Sequence, residues 1–124
     1  MRLLVFRMVI AASLVVSGVS HAYLYAHGYA HIPVIGTGFL LQASVCFAVA
    51  VLVLLGGPEW LVWAAGVLAL GALGAFALSR SVGIAGFVET GWEPAPHALL
   101  SVAAEVVTVL ACGAWWFSRR RATA

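Results

Sequence analysis

Four apolar runs, each about as long as a bilayer is thick, leave this chain very few folds. They cover roughly residues 8–26, 34–55, 60–79 and 97–117, and ~20 predominantly apolar residues are what a helix needs to cross the hydrocarbon core. In that medium every backbone N–H and C=O must be satisfied within the segment, so runs of this length are read as helices. The expected fold is all-α: a transmembrane four-helix bundle, antiparallel and up-down-up-down. It forms a single integral membrane domain over residues 1–124, because four spans leave room only for short connections.

Composition agrees and narrows the partners. Hydrophobic residues make up 65% of the chain and charged residues 8%, with a mean hydropathy of +1.12, whereas a soluble domain would be about a quarter charged. The positive charge is all arginine, and Arg2, Arg7 and Arg119 to Arg121 flank the first and last spans. That is the pattern of topology signals, so nucleic acid is excluded as a partner and the lipid bilayer is the expected one. Across four spans those five arginines fall on one side, against Arg80 alone with Glu89 and Glu93 on the other. The positive-inside rule then puts both termini in the cytoplasm of a multi-pass protein of the cell membrane. A rival reading of the first span is a secretory signal peptide, with a basic start, an apolar run and Ser20-His21-Ala22 as a small-x-small cleavage site before Tyr23.

The most informative span is the last. Along it His97, Ser101, Glu105, Thr108 and Cys112 follow at helical spacing and share one face, with Glu105 near the middle of the run. A carboxyl group is costly on a lipid-facing surface, so the stripe should face other helices, and an intramembrane carboxylate is by default a candidate functional site. Two readings stay open: a proton or cation site, or a neutral acid that holds helices together by hydrogen bonding. In the second span Gln42 is the strongly polar member. It and Glu105 each lie eight residues in from the same face, ~12 Å deep at the helical rise, so the two are expected to meet. Ser13, Ser17 and His21, spaced by four on the first span, should close the outer end.

The remaining candidates belong to the connections. Tyr23 to Pro33 interleaves tyrosines with histidines, and Gly28 and Pro33 punctuate its turn. His27 and His31 are four apart, a spacing that on a helix would let both grip one metal, and His21 and His97 could approach from neighbouring helix ends as metal or haem ligands. The interfacial alternative is amphipathic histidines with no ligand, and the sequence leaves the cofactor unknown. The long connection from Ser79 to Pro96 carries Arg80, Glu89 and Glu93. It reads either as a lid held by an Arg80 to Glu89 or Glu93 pair, or as an ordinary membrane-surface turn. Cys46 and Cys112 fall inside apolar spans and read as small buried hydrophobes. The third span, with Ala65, Ala69, Gly71, Ala72, Gly74 and Ala75, has the small-residue surface that lets backbones approach closely.

Two stretches carry a family resemblance. His21 to Leu41, with Gly-Tyr-Ala-His-Ile-Pro-Val-Ile-Gly at 28–36, and Leu78 to Pro94, with Leu-Ser-Arg and then Gly-Ile-Ala-Gly-Phe-Val-Glu, resemble a group of small uncharacterised bacterial four-span integral membrane proteins. The resemblance implies fold and location and no reaction. The size is also similar to that of small multidrug transporters, but those carry their essential glutamate in the first span, where this chain has none, so their activity is not transferred. No nucleotide loop, nucleophile elbow or paired catalytic carboxylates occur at recognisable spacing. Three functional classes therefore stand, in this order: a structural or accessory subunit of a membrane complex or a homo-oligomer, a ligand, proton or metal site on Glu105, Gln42, Ser101, Arg80, Glu89 and the outer histidines, and a small enzyme for a lipid-phase substrate.

Overall fold

A computed structural model describes all 124 residues as four helices, α1 (Arg2–Ala26), α2 (Ile35–Leu54), α3 (Trp60–Ser79) and α4 (His97–Thr123), with one 3-10 turn at Tyr29–His31. All four helices are long and apolar enough to cross a membrane. The chain is a multi-pass, all-helical bundle of alternating direction. The terminal helices run past the expected spans because the arginine-bearing flanks are good helix formers whose long stems can lie along the helix while the charge reaches water.

The helices form a ring in chain order. α1 packs against α2 and α4, α3 packs against α4 and less against α2, and the diagonal pair α2 and α4 has no contact. The core sits in the half of the bundle nearer the termini, where Ile10, Leu14, Val53 and Val62 are almost completely buried. Polar groups close that end. Arg7 donates to the carbonyls of Val53 (3.1 Å) and Gly57 (3.0 Å), tying α1 to the end of α2 and the turn that follows it. Arg119 pairs with Glu59 across the start of α3, so both chain termini share this end with the α2–α3 turn.

At the opposite end the sequence dictates a more unusual backbone. Gly28 ends α1 with φ of 124°, a conformation closed to most L residues. Val34 then takes φ 68° and ψ −47°, and Ile35 N–H donates to Pro33 C=O at 2.8 Å, a γ-turn of the rare, strained hand. This turn folds Tyr29–His31 back on α2 so closely that a Cβ on Gly36 would lie 2.4 Å from the Ala30 carbonyl oxygen. In the second connection Ile84 and Phe87 exchange both backbone hydrogen bonds around Ala85 and Gly86, each with positive φ, as in a two-residue hairpin turn. Glu89 N–H donates to Ser79 C=O at 2.9 Å and ties this connection to the end of α3.

The contrast between two nearby glycines gives a test. Gly36→Ala forces backbone against backbone and should lower the detergent melting temperature, whereas Gly38, with nothing near its Cβ position, should tolerate alanine and gain up to about 1 kcal/mol of helix propensity. Equal melting temperatures for the two variants would contradict the close approach at Gly36.

Candidate functional site

α1 and α4 are joined by polar side chains from the middle of the bundle outward. The Ser13 and Thr108 hydroxyls share a hydrogen bond of 2.6 Å. One turn further out the Ser17 hydroxyl donates to Glu105 Oε1 at 3.0 Å, and Ser101, one turn along α4, donates to the same oxygen at 2.6 Å. Beyond them the rings of Tyr23 and His97 stack with centroids 4.2 Å apart. Glu105 is 2% exposed, so its charge or its proton is shielded from bulk solvent by the bundle. Both hydroxyl donors go to Oε1, and Oε2 accepts no hydrogen bond from the protein.

Glu105 also lines a cavity. A space of about 90 Å³ lies between the four helices in the half of the bundle away from the termini, with Glu105 and Ser101 toward its deep end and His21 in its wall. The long connection contributes Ile84, Phe87 and Glu89, and the end of α3 contributes Phe76 and Arg80. By volume the space takes about three waters, and its polar groups are of the kind that hold them. His21 Nδ1 lies 2.8 Å from the Ser17 carbonyl, an acceptor, so Nδ1 carries the proton and Nε2 is left without a protein partner. The side walls are aromatic: Phe39 meets His21 edge-on at 5.0 Å and stacks on Tyr29 at 5.2 Å, and Tyr29 meets Phe87 at 6.0 Å.

The connection forms a roof, fastened differently from the sequence expectation. Arg80 makes no ion pair with Glu89 or Glu93. Its guanidinium donates to the Gly91 carbonyl (3.1 Å), the Glu93 carbonyl and the Ser79 hydroxyl (2.6 Å), and lies over the Phe76 ring at 4.0 Å. Carbonyls of a turn can surround a guanidinium fork more completely than one carboxylate on a flexible stem. Burial lowers the Arg80 pKa below the ordinary guanidinium value, with Glu89 acting in the other direction. Glu89 instead accepts a hydrogen bond from the Tyr29 hydroxyl at 2.8 Å, which joins the two outer connections. Burial, and then this bond to Glu89, hold the Tyr29 phenol far above its usual range, so at neutral pH it remains a donor. The Glu93 carboxylate caps only its own turn, at the Ala95 N–H.

Gln42 does not join Glu105. It lies on α2, diagonal to α4 in the ring, and its amide donates to Cys46 Sγ at 3.6 Å one turn along its own helix. Equal depth put the two residues at one level, but depth says nothing about which helices are neighbours. The histidines also separate. α1 ends at Ala26 and Gly28 breaks the helix, so His27 and His31 never present the paired i, i+4 face that a metal grip requires. His27 stacks on Tyr23 at 3.9 Å and donates to the Tyr23 carbonyl, His97 stacks on the other side of that ring system, and His31 is exposed. No three His, Cys, Asp or Glu side chains converge to hold a metal ion. Cys46 is buried in the core and Cys112 turns toward α3, where its thiol donates to the Val62 carbonyl at 3.2 Å; both are free thiols.

The sequence reading missed the aromatic walls. Phe39 and Phe76 look like ordinary apolar members of their spans, although Phe76 precedes Arg80 by four residues, a spacing that lets a cation lie over a ring. Comparison with protein-family models, with curated proteins and with solved structures gives no match for this chain.

The anchoring role of Glu105 is measurable. Ser17→Ala and Ser101→Ala should each destabilise the bundle by about 1 kcal/mol, and a double-mutant cycle with Glu105→Gln should show coupling of a similar size, within the range known for hydrogen bonds between membrane helices. Gln42→Leu should leave stability unchanged within about 0.5 kcal/mol, because the one hydrogen bond of its side chain stays within α2. Reversible unfolding in mixed micelles reads all of these.

Proposed function

We propose that this chain is a cell-membrane protein, with both termini in the cytoplasm, whose outer cavity binds a small molecule at Glu105. The observation that carries this reading is the asymmetry of the carboxyl group. Glu105 uses Oε1 for two hydroxyls, its Oε2 accepts no hydrogen bond from the protein, and the residue lines a cavity between the helices. Ser17 and Ser101 fix the carboxyl group from two helices, so its free oxygen is held in place before any ligand arrives, which reduces the ordering cost of binding. Arg80 and the Tyr29 to Glu89 bond hold the roof above it. Apolar packing of Ile10, Leu14 and Val53 fills the bundle on the side of the termini, so the site has access from the outer half alone. The orientation rests on the arginines at the terminal end of the bundle.

A second reading, an accessory subunit of a membrane complex or a homo-oligomer, draws support from the outward surface of α3. Gly71 and Gly74 have open space at their Cβ positions, and a groove of about 450 Å³ runs between α3 and α4 beside Trp63, Gly66 and Trp116. Small residues exposed in this way suit close approach of another helix.

One preparation separates the two readings. The protein, extracted from its own membranes in a mild detergent, should yield a bound small molecule on denaturation, at least tenfold less of it from Glu105→Gln, and least from Ala98→Leu, which fills the cavity wall. Absence of any small molecule in all three samples, together with stoichiometric co-purifying subunits that Gly71→Leu and Gly74→Leu release, would replace the first reading by the second.

A further inference from the structure

We propose that the ligand of the Glu105 cavity is a compact organic cation, an ammonium group bearing methyl or other short alkyl substituents; this deepens the binding reading above and rests on it. Three observations converge on that chemistry. The first is the floor. Glu105 Oε2 is the unpartnered acceptor of a carboxyl group whose other oxygen is already saturated, and a buried carboxylate gains most from a partner of opposite charge.

The second is the wall. Phe39, Tyr29 and Phe87 form a continuous aromatic surface, with ring centroids 5.2 and 6.0 Å apart, and His21 extends it at 5.0 Å from Phe39. Aromatic side chains in the wall of a site attract an alkylated ammonium electrostatically without asking the ligand to donate hydrogen bonds. Cations already lie on rings here: the roof places the Arg80 guanidinium over Phe76.

The third is what the cavity refuses. An anion would find its one nearby cation, Arg80, with its donors committed to Ser79, Gly91 and Glu93, and it would meet Glu105 below and Glu89 above. A long lipid chain does not fit a space of about 90 Å³, whereas a ligand of roughly half a dozen heavy atoms does.

Three probes of matched shape separate charge from size: tetramethylammonium, tert-butanol and pivalate. They are titrated against the purified, folded protein in nanodiscs, with binding read by saturation-transfer NMR. Tetramethylammonium should bind at least tenfold more tightly than tert-butanol, and pivalate should not bind. Glu105→Gln should weaken tetramethylammonium by tenfold or more and bring it level with tert-butanol. Phe39→Leu, which keeps an apolar wall but removes a ring, should weaken tetramethylammonium several-fold and leave tert-butanol unchanged. Melting temperatures of both variants identify any loss that comes from misfolding, and Phe39→Leu keeps the test decisive if Glu105→Gln fails to fold. Equal binding of tetramethylammonium and tert-butanol to the parent, or undiminished tetramethylammonium binding by folded Glu105→Gln, would overturn the cation and leave a small-molecule site standing. If none of the three binds, and a Ser101→Cys thiol in a Cys46→Ser, Cys112→Ser background resists small water-soluble thiol reagents, the cavity reading falls with it.

Discussion

The hydrogen bonds that Ser17 and Ser101 give to one oxygen of Glu105 organise the bundle. A carboxyl group at this depth cannot be left toward lipid, so α4 must present that face to a neighbour able to donate. α1 supplies the donor at Ser17, repeats the pattern one turn away with Ser13 against Thr108, and thereby fixes which helix lies beside α4 and in what register. Once α1 sits between α2 and α4, the ring order follows from connection length. The four-residue turn Gly56-Gly57-Pro58-Glu59 keeps α3 beside α2, and α3 closes on α4.

Much of this was legible beforehand for physical reasons. Transmembrane helices are read from long apolar runs because lipid imposes one rule on the whole segment, and the polar stripe of α4 is read from helical periodicity. Glu105 and Ser101 therefore emerged from sequence one turn apart on one face, whereas the Ser17 bond to Glu105 needed the neighbouring helix to be known. Gln42 was misplaced, because matching two residues by depth leaves helix adjacency undetermined. The histidine pair failed for a local reason: Gly28 ends the helix whose periodicity made His27 and His31 look like neighbours. Phe39 and Phe76 were invisible as a pair, since an aromatic residue in an apolar span carries no sign of which of its faces meets a cavity, and Phe87 in the connection read as one more interfacial apolar residue.

The two ends of the bundle are built on different principles. At the terminal end, arginines reach carbonyls and Glu59, and between them large aliphatic side chains form the buried core. At the other end the backbone turns sharply at Gly28, Val34 and the Ile84–Phe87 hairpin, and the chain spends its polar groups fastening connections to one another. Strained turns held by surrounding structure are characteristic of places where geometry serves a site more than stability. The cavity occurs at that end and not at the packed one.

The matched rungs along α1 and α4, Ser13 with Thr108, Ser17 with Glu105 and Tyr23 with His97, also set how such a protein can change length over evolution. Adding or deleting one residue inside either helix rotates everything beyond it by about 100° and turns the carboxyl group away from its donors toward lipid. A compensating change in the partner helix would be needed at once. The turns at 27–34 and 80–96 meet no such periodic constraint. A length change in the two connections that roof the cavity instead alters the size and entrance of the pocket while the carboxyl group stays in register.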